Sequence, residues 1–480
     1  MKNGVMLQGF EWYLPADGKH WQRLRKQAKK LKEAGFSAIW LPPAYKGNGG
    51  INDTGYGAYD LYDLGEFDQK GTISTKYGTK DEYLALINEL GHNGIDVYAD
   101  MVFNHKMGAE SCETVEAIPV AWYDRTQPIG QETNIEAWTV FNFPARQDKY
   151  SAFHWNYRYF DGVDYDNRSN THNIYVFDGA NWEKQVAKEN GNYDYLMGAD
   201  LNFDHPEVIQ ELKNYGKWYL DTTHVNGFRM DACKHIRSTF FKEWLDYLRQ
   251  QTQQELFCVG EYWSADLNEL TQFLEDNEFK LSVFDVCLHY NFYAVNYANG
   301  NFDMRNILKN TVVERFPQNT VTFVENHDTQ KGQALQTVIE DWFKPIAYGL
   351  ILLRQAGYPC VFYADYYGNK ETGMTSFKVV IDKMMKVRRE RLSGQQHDYF
   401  DDADVIGWTY DGDGAIGQGF AVLISDRYEA SKYMYVGKQY AQKSFIDGLG
   451  HFRKTVTIND DGWGNFLVKG GSISCWIYKE

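Results

Sequence analysis

Residues 96–104 read DVYADMVFN, a short apolar run bounded by polar residues. Seven further runs of this kind occur along the chain, at residues 5–12, 38–42, 225–231, 256–262, 281–288, 320–327 and 359–363. Short runs rich in β-branched and aromatic residues are typical of strands. Each of the eight is therefore predicted to form a strand.

Amphipathic helical patterns lie between these runs. In the first of them, apolar side chains recur at steps of three and four residues, at Trp21, Leu24, Ala28, Leu31 and Ala34. This spacing places them on one face of a helix. Similar patterns occur at residues 83–90, 208–219, 240–248, 304–313 and 339–353. Eight strands that alternate with helices predict an α/β fold, a parallel sheet closed into a (β/α)8 TIM barrel.

Two parts of the chain interrupt this alternation. Residues 105–206 are rich in aromatic, Asp and Asn residues and have few helical patterns, and such a long stretch inside a compact protein indicates an inserted subdomain after strand 3. Residues 394–480 show short alternating strands and glycine-rich turns, typical of an antiparallel β-sandwich. We therefore predict a barrel made of residues 1–104 and 207–393, an insert at 105–206 and a C-terminal sandwich at 394–480.

Composition excludes several classes of protein. The 480 residues carry 49 basic and 65 acidic side chains, and this net charge of −16 argues against nucleic acid as a partner. No apolar run approaches the roughly 18 residues that span a bilayer, so no membrane association is expected. Aromatic residues make up 16% of the chain, including 35 tyrosines. Such side chains suit core packing and stacking on flat sugar faces equally well, so both interpretations stay open.

The six cysteines are scattered and form no CxxC motif, which excludes a zinc ribbon or a disulfide scaffold and fits a reducing compartment. The N-terminal residues have no signal-peptide pattern, so we expect a cytoplasmic protein. A secreted protein that had lost its leader and gained a start methionine would look the same. Nothing in the sequence indicates an obligate partner, and a monomer is expected.

The ends of the predicted strands carry the chemistry. Asp231 ends the fourth run, Glu261 lies at the end of the fifth, and Asp328 follows the seventh. Strand carboxyl ends converge at one face of a parallel barrel, so these acids are expected to meet. A single Asp after a strand is more often the N-cap of the next helix. Like charges brought together without a function would destabilise a fold, and we therefore interpret the group as a site.

The spacing of these residues suggests a separate chemical role for each. Arg229 and Asp231 are two apart on one strand, so their side chains leave the same face and the guanidinium keeps that carboxylate ionised, as a nucleophile requires. Glu261 would experience Asp231 and Asp328 as like charges, which would raise its pKa and let it act as an acid near neutral pH. Two carboxyl groups with these different properties are the apparatus of glycoside hydrolysis.

Several motifs make the sequence resemble the α-amylases of glycoside hydrolase family 13, in the branch of the bacterial liquefying amylases. The motifs are DMVFNH at 100–105, NYDYLMGADLNFDHP at 192–206, GFRMDACKH at 227–235, GEYW at 260–263 and FVENHD at 323–328. The segments GYGAYDLYDLG at 55–65 and DGWGNF at 461–466 are also similar to the family. The resemblance runs from residue 4 to residue 478 and so covers almost the whole chain.

The resemblance implies a role for each catalytic residue. Asp231 would be the nucleophile, Glu261 the general acid and then the general base, and Asp328 would bind sugar hydroxyls and help to distort the ring. The family retains the anomeric configuration, which implies that the carboxyl groups of Asp231 and Glu261 lie about 5–5.5 Å apart. Asp100 would be a structural support near the site.

The resemblance also implies a set of substrate-binding residues, namely Tyr56, His105, Arg229, Lys234, His235, Trp263 and His327. Tyr56 would stack on the sugar in the cleaved subsite, and the two histidines His105 and His327 would hydrogen-bond to it. Arg229 would position Asp231. Lys234 and His235 would contact the leaving side of the substrate.

The insert offers oxygen ligands for a metal ion. Asn104, Asp194 and Asp200 are hard donors, and Asp161 and Asp204 lie nearby in sequence; the alternative is a solvated acidic loop. The resemblance implies at least one structural calcium ion that joins the insert to the barrel. Its predicted ligands are Asn104, Asp161, Asp194, Asp200 and the backbone carbonyl of His235. Some relatives bind a further calcium and a sodium ion through aspartates, and Glu183 and Asn202 stand at those positions here, so additional calcium or sodium stays open.

The expected activity is endo-acting hydrolysis of internal α-1,4-glucosidic bonds in starch, glycogen or maltodextrins by a retaining double displacement. A glucanotransferase on the same scaffold shares the chemistry until water or a sugar hydroxyl attacks the intermediate, and the sequence does not separate the two. A non-catalytic relative, such as the heavy chains of amino-acid transporters, would have lost the catalytic carboxylates and would carry a membrane anchor. The partner expected from the sequence is therefore an α-glucan or a maltooligosaccharide.

Overall fold

A computed structural model describes residues 3–414 and 418–479 of the chain. The first part forms three barrel strands and the helices that connect them. Its elements are β1 (Met6–Gln8), α1 (His20–Ala34), β2 (Ala38–Leu41), β3 (Lys46–Gly47), β4 (Ala58–Asp60), α2 (Lys80–His92) and β5 (Asp96–Met101). Helix α1 buries Trp21, Leu24, Ala28 and Leu31 against the barrel, as the periodicity predicts. Helix α2 begins with a capping box between Thr79 and Glu82, which satisfies backbone donors at its start.

The second part, which follows β5 directly, is an antiparallel sheet. Its strands are β6 (His105–Lys106), β7 (Ser111–Ala121), β8 (Asp124–Pro128), β9 (Thr133–Val140), β10 (Phe160–Val163), β11 (Ile174–Phe177) and β12 (Ala199–Leu201). They pair in the order β6-β12-β10-β11-β7-β8, with β9 beside β7. Because β12 pairs with β6, the insert returns to the point at which it left the barrel.

The third part completes the barrel. Its strands are β13 (Gly227–Met230), β14 (Phe257–Gly260), β15 (Ser282–Phe284), β16 (Thr320–Phe323) and β17 (Tyr358–Phe362). Its helices are α3 (Pro206–Thr223), α4 (Thr239–Thr252), α5 (Leu267–Asp276), α6 (Val286–Ala298), α7 (Val312–Arg315), α8 (Lys344–Leu352), α9 (Tyr363–Tyr367) and α10 (Lys378–Arg391). Strands β1, β2, β5, β13, β14, β15, β16 and β17 close into one parallel barrel. The predicted TIM barrel is confirmed, and each of the eight predicted runs overlaps one of its strands.

The last part is a small β-sandwich, also as predicted. Its strands are β18 (Gln396–Tyr399), β19 (Val405–Gly412), β20 (Gln418–Ser425), β21 (Ala430–Tyr435), β22 (Ser444–Asp447), β23 (Thr455–Thr457), β24 (Trp463–Val468) and β25 (Ser472–Tyr478). A six-stranded antiparallel sheet packs on the pair β21 and β24. Met434 and Phe466 from that pair lie in a common core with Leu423 and Trp476.

Several sequence predictions are wrong in detail: the runs at 5–12 and 320–327 are strands only at Met6–Gln8 and Thr320–Phe323, and three other differences have a clear local cause. The helical pattern at 304–313 is broken, because Asn310 adopts the left-handed conformation and Thr311 then caps the short helix α7. The pattern at 339–353 is helical only from Lys344, where Pro345 fits the first turn. The run at 281–288 is a strand only to residue 284, because the Asp285 carboxylate accepts a hydrogen bond from the backbone of Leu288 and starts α6.

Across residues 3–414 and 418–479, no helix combines the length and the apolar character needed to cross a bilayer.

Candidate active site at the carboxyl end of the barrel

The barrel strands bring the predicted acids to one end. Arg229 on β13 lies opposite Asp100 on β5 in the parallel ladder. Asp231 follows β13 directly, and Glu261 follows β14 directly. The ladder continues past the last strand residues, since the backbone N–H of Asp231 donates to Met101 and that of Glu261 donates to Met230, both at 2.9 Å. The backbone therefore holds both carboxyl groups at the rim of the barrel.

The Arg229 guanidinium joins these acids. Its Nη1 atom lies 2.6 Å from Oδ1 of Asp231 and 2.8 Å from Oδ1 of Asp100, and its Nη2 atom lies 3.6 Å from Oε2 of Glu261. Arg229 itself is fully buried. One buried cation thus contacts three carboxyl groups, and it fixes Asp231 and Glu261 on the same side of the barrel mouth.

Burial sets the protonation of the acids. It raises the pKa of Glu261 to about 8, against the opposing effect of the Arg229 charge and with added repulsion from Asp231 and Asp328. The direction agrees with the sequence prediction, but loss of hydration is the largest cause and not the like charges that the prediction invoked. Burial also raises the pKa of Asp328 to about 7 and that of Asp100 to about 6. Glu261 is therefore mostly protonated at neutral pH.

Three rings form one wall of the site. The Tyr56 ring stacks on the His327 ring with centroids 5.0 Å apart, and Trp12 lies nearly parallel to both at 5.9 and 6.1 Å. The Tyr56 hydroxyl donates to Asp100 at 2.8 Å, and His105 Nε2 lies 2.8 Å from the Tyr56 carbonyl oxygen. His327 Nε2 lies 3.3 Å from Oδ2 of Asp328. Asp328 is thus connected to the wall of rings.

Both histidines are held in the neutral form. Burial lowers the pKa of His105, and burial with the Arg229 charge lowers the pKa of His327 well below its ordinary value. The side-chain Nε2 atom of Gln8 lies 3.0 Å from Nδ1 of His327, and this contact fixes the orientation of the His327 ring. A neutral imidazole offers one N–H donor and one acceptor, a pair suited to hydroxyl groups.

The remaining predicted substrate-binding residues lie beside this group. Lys234 donates to the carboxylate of Glu189 at 3.0 Å. The Nδ1 atom of His235 lies 2.6 Å from the Tyr193 carbonyl oxygen, and burial lowers the pKa of His235 to about 3. Trp263 is buried and donates to the Tyr290 hydroxyl at 3.2 Å. The contacts of Lys234 and His235 are with the insert, which therefore borders the barrel mouth.

Sequence reasoning missed several residues that contact the site. Trp40 at the end of β2 donates to Oδ2 of Asp100 at 3.0 Å and lies under the Arg229 guanidinium at 5.0 Å. Gln8 ends β1, and Trp12 lies in the loop after it. All three lie within the first two predicted strands, at residues 5–12 and 38–42, but the sequence does not show that β1 ends at Gln8 and β2 at Leu41, which places these side chains at the carboxyl end of the barrel.

A second group of acids lies where the insert meets the barrel. Ligand oxygens of Asp161, Asp194 and Asp200 lie within 4.8 Å of one another, and all three residues are buried. Burial raises the pKa of each carboxyl group well above its ordinary value, and neighbouring carboxylates raise it further. Asn104 donates to Oδ1 of Asp200 at 3.0 Å.

Several oxygens of this group have no hydrogen-bond partner within the described ranges. They are both carboxylate oxygens of Asp161 and Oδ2 of Asp200. The same holds for Oε1 of Glu183, whose charge acts on Asp161 and Asp200, and for Oδ1 of Asn202, two residues after Asp200. Buried acceptors normally have a donor, and a buried carboxylate normally has a counter-charge. Oxygen donors in this number match a hard divalent cation such as calcium, which takes six to eight of them. The donor set therefore fits the predicted ion.

The chain is similar to known proteins over its whole length. A family model described as the α-amylase catalytic domain matches residues 20–409. An α-amylase of Geobacillus stearothermophilus is 52% identical over 481 residues, which cover 100% of this chain and 87% of that protein. A cytoplasmic α-amylase of Escherichia coli (strain K12) is 38% identical, with 100% of each chain covered.

A likeness to solved structures supports the fold. The crystal structure of an α-amylase from Geobacillus thermoleovorans complexed with acarbose matches with a TM-score of 0.66 at 17% identity, over 99% of this chain and 98% of that one. At this identity the match concerns architecture. The family model and the identities of the relatives carry the assignment further: this chain belongs to the α-amylase family of glycoside hydrolases.

Proposed function

We propose that the protein hydrolyses internal α-1,4-glucosidic bonds of starch, glycogen or maltodextrins with retention of anomeric configuration. The observation that carries this proposal is the shared contact of Asp231 and Glu261 with one buried guanidinium, combined with a Glu261 pKa of about 8. An ion-paired carboxylate and a protonated carboxyl group side by side are what a double displacement requires.

In the first step, Oδ of Asp231 attacks the anomeric carbon while Glu261 donates its proton to the glycosidic oxygen. The bond between carbon and leaving oxygen breaks, and a covalent glycosyl ester on Asp231 results. In the second step, the Glu261 carboxylate takes a proton from water, whose oxygen attacks the same carbon and releases Asp231. The proton returns to Glu261, so the protein ends the cycle unchanged.

The surrounding residues would position the sugar. Asp328 would accept hydrogen bonds from sugar hydroxyls, with neutral His105 and His327 beside it. Tyr56 would stack on the ring, because a tyrosine side chain offers an apolar face to a sugar. Arg229 would hold Asp231 in place through their contact at 2.6 Å. The residues expected to meet the rest of the chain are Lys234 and His235 on the leaving side and Trp263.

The test replaces each acting carboxyl group with its amide. We expect Asp231→Asn and Glu261→Gln to lower kcat on soluble starch by several orders of magnitude while the protein stays folded. Asp221→Asn, which removes an exposed carboxylate on α3, is the matched control and should keep full activity. Starch hydrolysis by either variant at the wild-type rate would contradict the proposal. Products longer than the substrate from maltoheptaose would instead indicate a glucanotransferase.

We also propose a structural calcium ion bound by Asn104, Asp161, Asp194, Asp200 and the backbone carbonyl of His235. The support is the set of buried oxygens without donors, because a divalent cation would compensate their charge. Chelation should lower the thermal midpoint, and added calcium should restore it. A chelated sample that is free of metal by elemental analysis and unchanged in stability would rule the ion out.

A cytoplasmic location is proposed as well. All six cysteines have free thiols, and five of them are buried, which fits a reducing compartment. The relative from Escherichia coli is named a cytoplasmic α-amylase. Fractionation of the source cells with an antibody to the protein would test the location, and recovery only from the medium would refute it.

A further inference from the structure

A cavity of about 340 Å³ lies at the amino end of the barrel, the end opposite the candidate active site. Its walls come from the first residues of several barrel strands and from α10, and it is called the amino-end cavity below. Its polar side chains include those of Tyr98, Ser282, Gln318, Gln355, Tyr358 and Arg388. Arg388 and Ser282 are buried, whereas Gln318 and Gln355 are exposed and therefore lie at its mouth.

Arg388 brings a positive charge into this cavity, although its side chain is only 3% exposed. Its Nη1 atom donates to the backbone carbonyl oxygens of Leu352 at 2.9 Å and of Arg354 at 2.7 Å, and its Nε atom donates to that of Asn3 at 3.3 Å. Within residues 3–414 and 418–479, the hydrogen bonds of the guanidinium thus end on uncharged carbonyl groups and use two of its three nitrogens. A buried arginine is ordinarily paired with an acid.

The charge of Arg388 is not balanced inside the cavity. Among the described residues that line it, none is an Asp or a Glu. Burial lowers the pKa of Arg388 to about 10, and the groups that act against burial are the phenols of Tyr410 and Tyr358. An uncompensated buried charge costs stability, and an anion inside the cavity would offset that cost.

The other polar groups of the cavity can donate hydrogen bonds. Gln318 and Gln355 each carry an amide with two N–H donors, and Ser282 carries a hydroxyl. Arg388 would repel a cation, and an apolar ligand would leave the guanidinium unpaired. The lining therefore matches an oxyanion, which accepts several hydrogen bonds and forms charge-assisted ones with arginine.

We propose that the amino-end cavity binds a small phosphate or sulfate group, with Arg388 as its counter-charge. The cavity has the volume of about ten water molecules, so it has room for a free ion or for the phosphate group of a small organic molecule. In the second case the rings of Tyr98 and Phe257, whose centroids lie 4.6 Å apart, would contact the organic part. Because the chain has a net charge of −16, its overall field does not attract anions, and binding would depend on this local group.

The test changes the charge at the mouth of the cavity without removing a buried group. Gln318→Glu and Gln355→Glu are nearly isosteric, and each places a carboxylate next to the bound anion. Gln210→Glu adds the same charge at an exposed position of α3, near the insert, so it is the matched control. Arg388→Met removes the counter-charge itself.

Isothermal titration calorimetry at constant ionic strength measures binding, with inorganic sulfate as the probe because it leaves calcium in solution. We expect one saturable site per chain in the wild type and in Gln210→Glu. The dissociation constant should rise about 10-fold in Gln318→Glu and in Gln355→Glu, because like charges a few ångströms apart repel each other. Arg388→Met should show no saturable binding.

Glucose 1-phosphate and glucose are titrated in the same way to identify the source of the group. Tighter binding of glucose 1-phosphate than of sulfate would identify a phosphate ester, and equal or weaker binding would identify a free ion; in both cases the affinity should fall in the two glutamine variants. Equal affinities in the wild type and all variants, or no saturable binding of either anion by the wild type, would overturn the proposal. Binding of glucose as tight as that of glucose 1-phosphate would overturn it too. If Arg388→Met does not fold, Gln318→Glu and Gln355→Glu decide, because their side chains are exposed.

Discussion

Replacement of Glu261 by glutamine tests whether its protonation is set by burial. The wild-type group has a pKa raised from 4.5 to about 8 by loss of hydration in the folded site. Between these two values the folded protein binds a proton that the unfolded chain has released. The free energy of unfolding therefore falls as pH rises through this window, and the loss is complete above the folded pKa.

The size of this effect follows from the shift. Each pKa unit corresponds to about 1.4 kcal/mol. Because the unfolded chain is stabilised by releasing the Glu261 proton, the free energy of unfolding is lower than at low pH by about 3 kcal/mol at pH 7 and by about 5 kcal/mol above pH 8. Glutamine is nearly isosteric, can still accept from the Ala232 N–H as Glu261 does at 2.9 Å, and cannot ionise. The catalytic variant should therefore be more stable than the wild type, and increasingly so with pH.

The assay is urea unfolding of both proteins at pH 5, 7 and 9 with calcium in excess, because other titrating groups largely cancel in the difference. We expect the stability of Glu261→Gln minus that of the wild type to be small at pH 5 and to grow by several kcal/mol toward pH 9. In parallel, wild-type kcat/KM on maltoheptaose should decline about tenfold per pH unit above pH 8 as the acid loses its proton. A difference that is independent of pH, or an activity loss that begins near pH 5, would refute the reasoning.

Three further changes probe buried charge. Asp100→Asn should reduce kcat, because it removes one carboxylate partner of Arg229, which also contacts Asp231; a kcat equal to that of the wild type would contradict this. Lys344→Met should lower the free energy of unfolding by about 3–5 kcal/mol, because it leaves Glu325 and Asp365 buried without their cation. An unchanged free energy of unfolding would show that this ion-pair network is not needed for stability. Asp161→Asn should weaken calcium binding measured by calorimetry. It should also reduce the difference between the thermal unfolding midpoints with and without chelator. An unchanged calcium affinity would exclude Asp161 as a ligand.

Much of the fold was available from local patterns. Each of the eight apolar runs overlaps a barrel strand, because a strand buried in a parallel barrel needs mostly apolar residues, whichever strands lie beside it. The same reasoning failed at residues 304–313, where apolar spacing resembles a helix but Asn310 turns the backbone and Thr311 starts a new one. The spacing of apolar residues does not reveal such a break, because the break depends on the backbone conformation of a single residue.

The candidate site was likewise predicted only in part from the sequence. The residue types at the strand ends predicted which acids meet, and the structure brings Asp231 and Glu261 to one guanidinium; their roles in catalysis stay predictions until the variants are measured. The ligand set proposed for calcium likewise stays a prediction, although the structure brings Asp161, Asp194 and Asp200 together from distant parts of the insert.

The sequence by itself determined the order of strands and helices, the interruption at residue 105 and the chemical groups present at each strand end, because these depend on residues close together in the chain. Only the tertiary structure decided how much water each group loses. Burial is the main reason for the raised pKa of Glu261, and it arises from side chains contributed by many segments. The same holds for the stack of Trp12, Tyr56 and His327 and for the cavity around Arg388, whose members meet only after the barrel has closed.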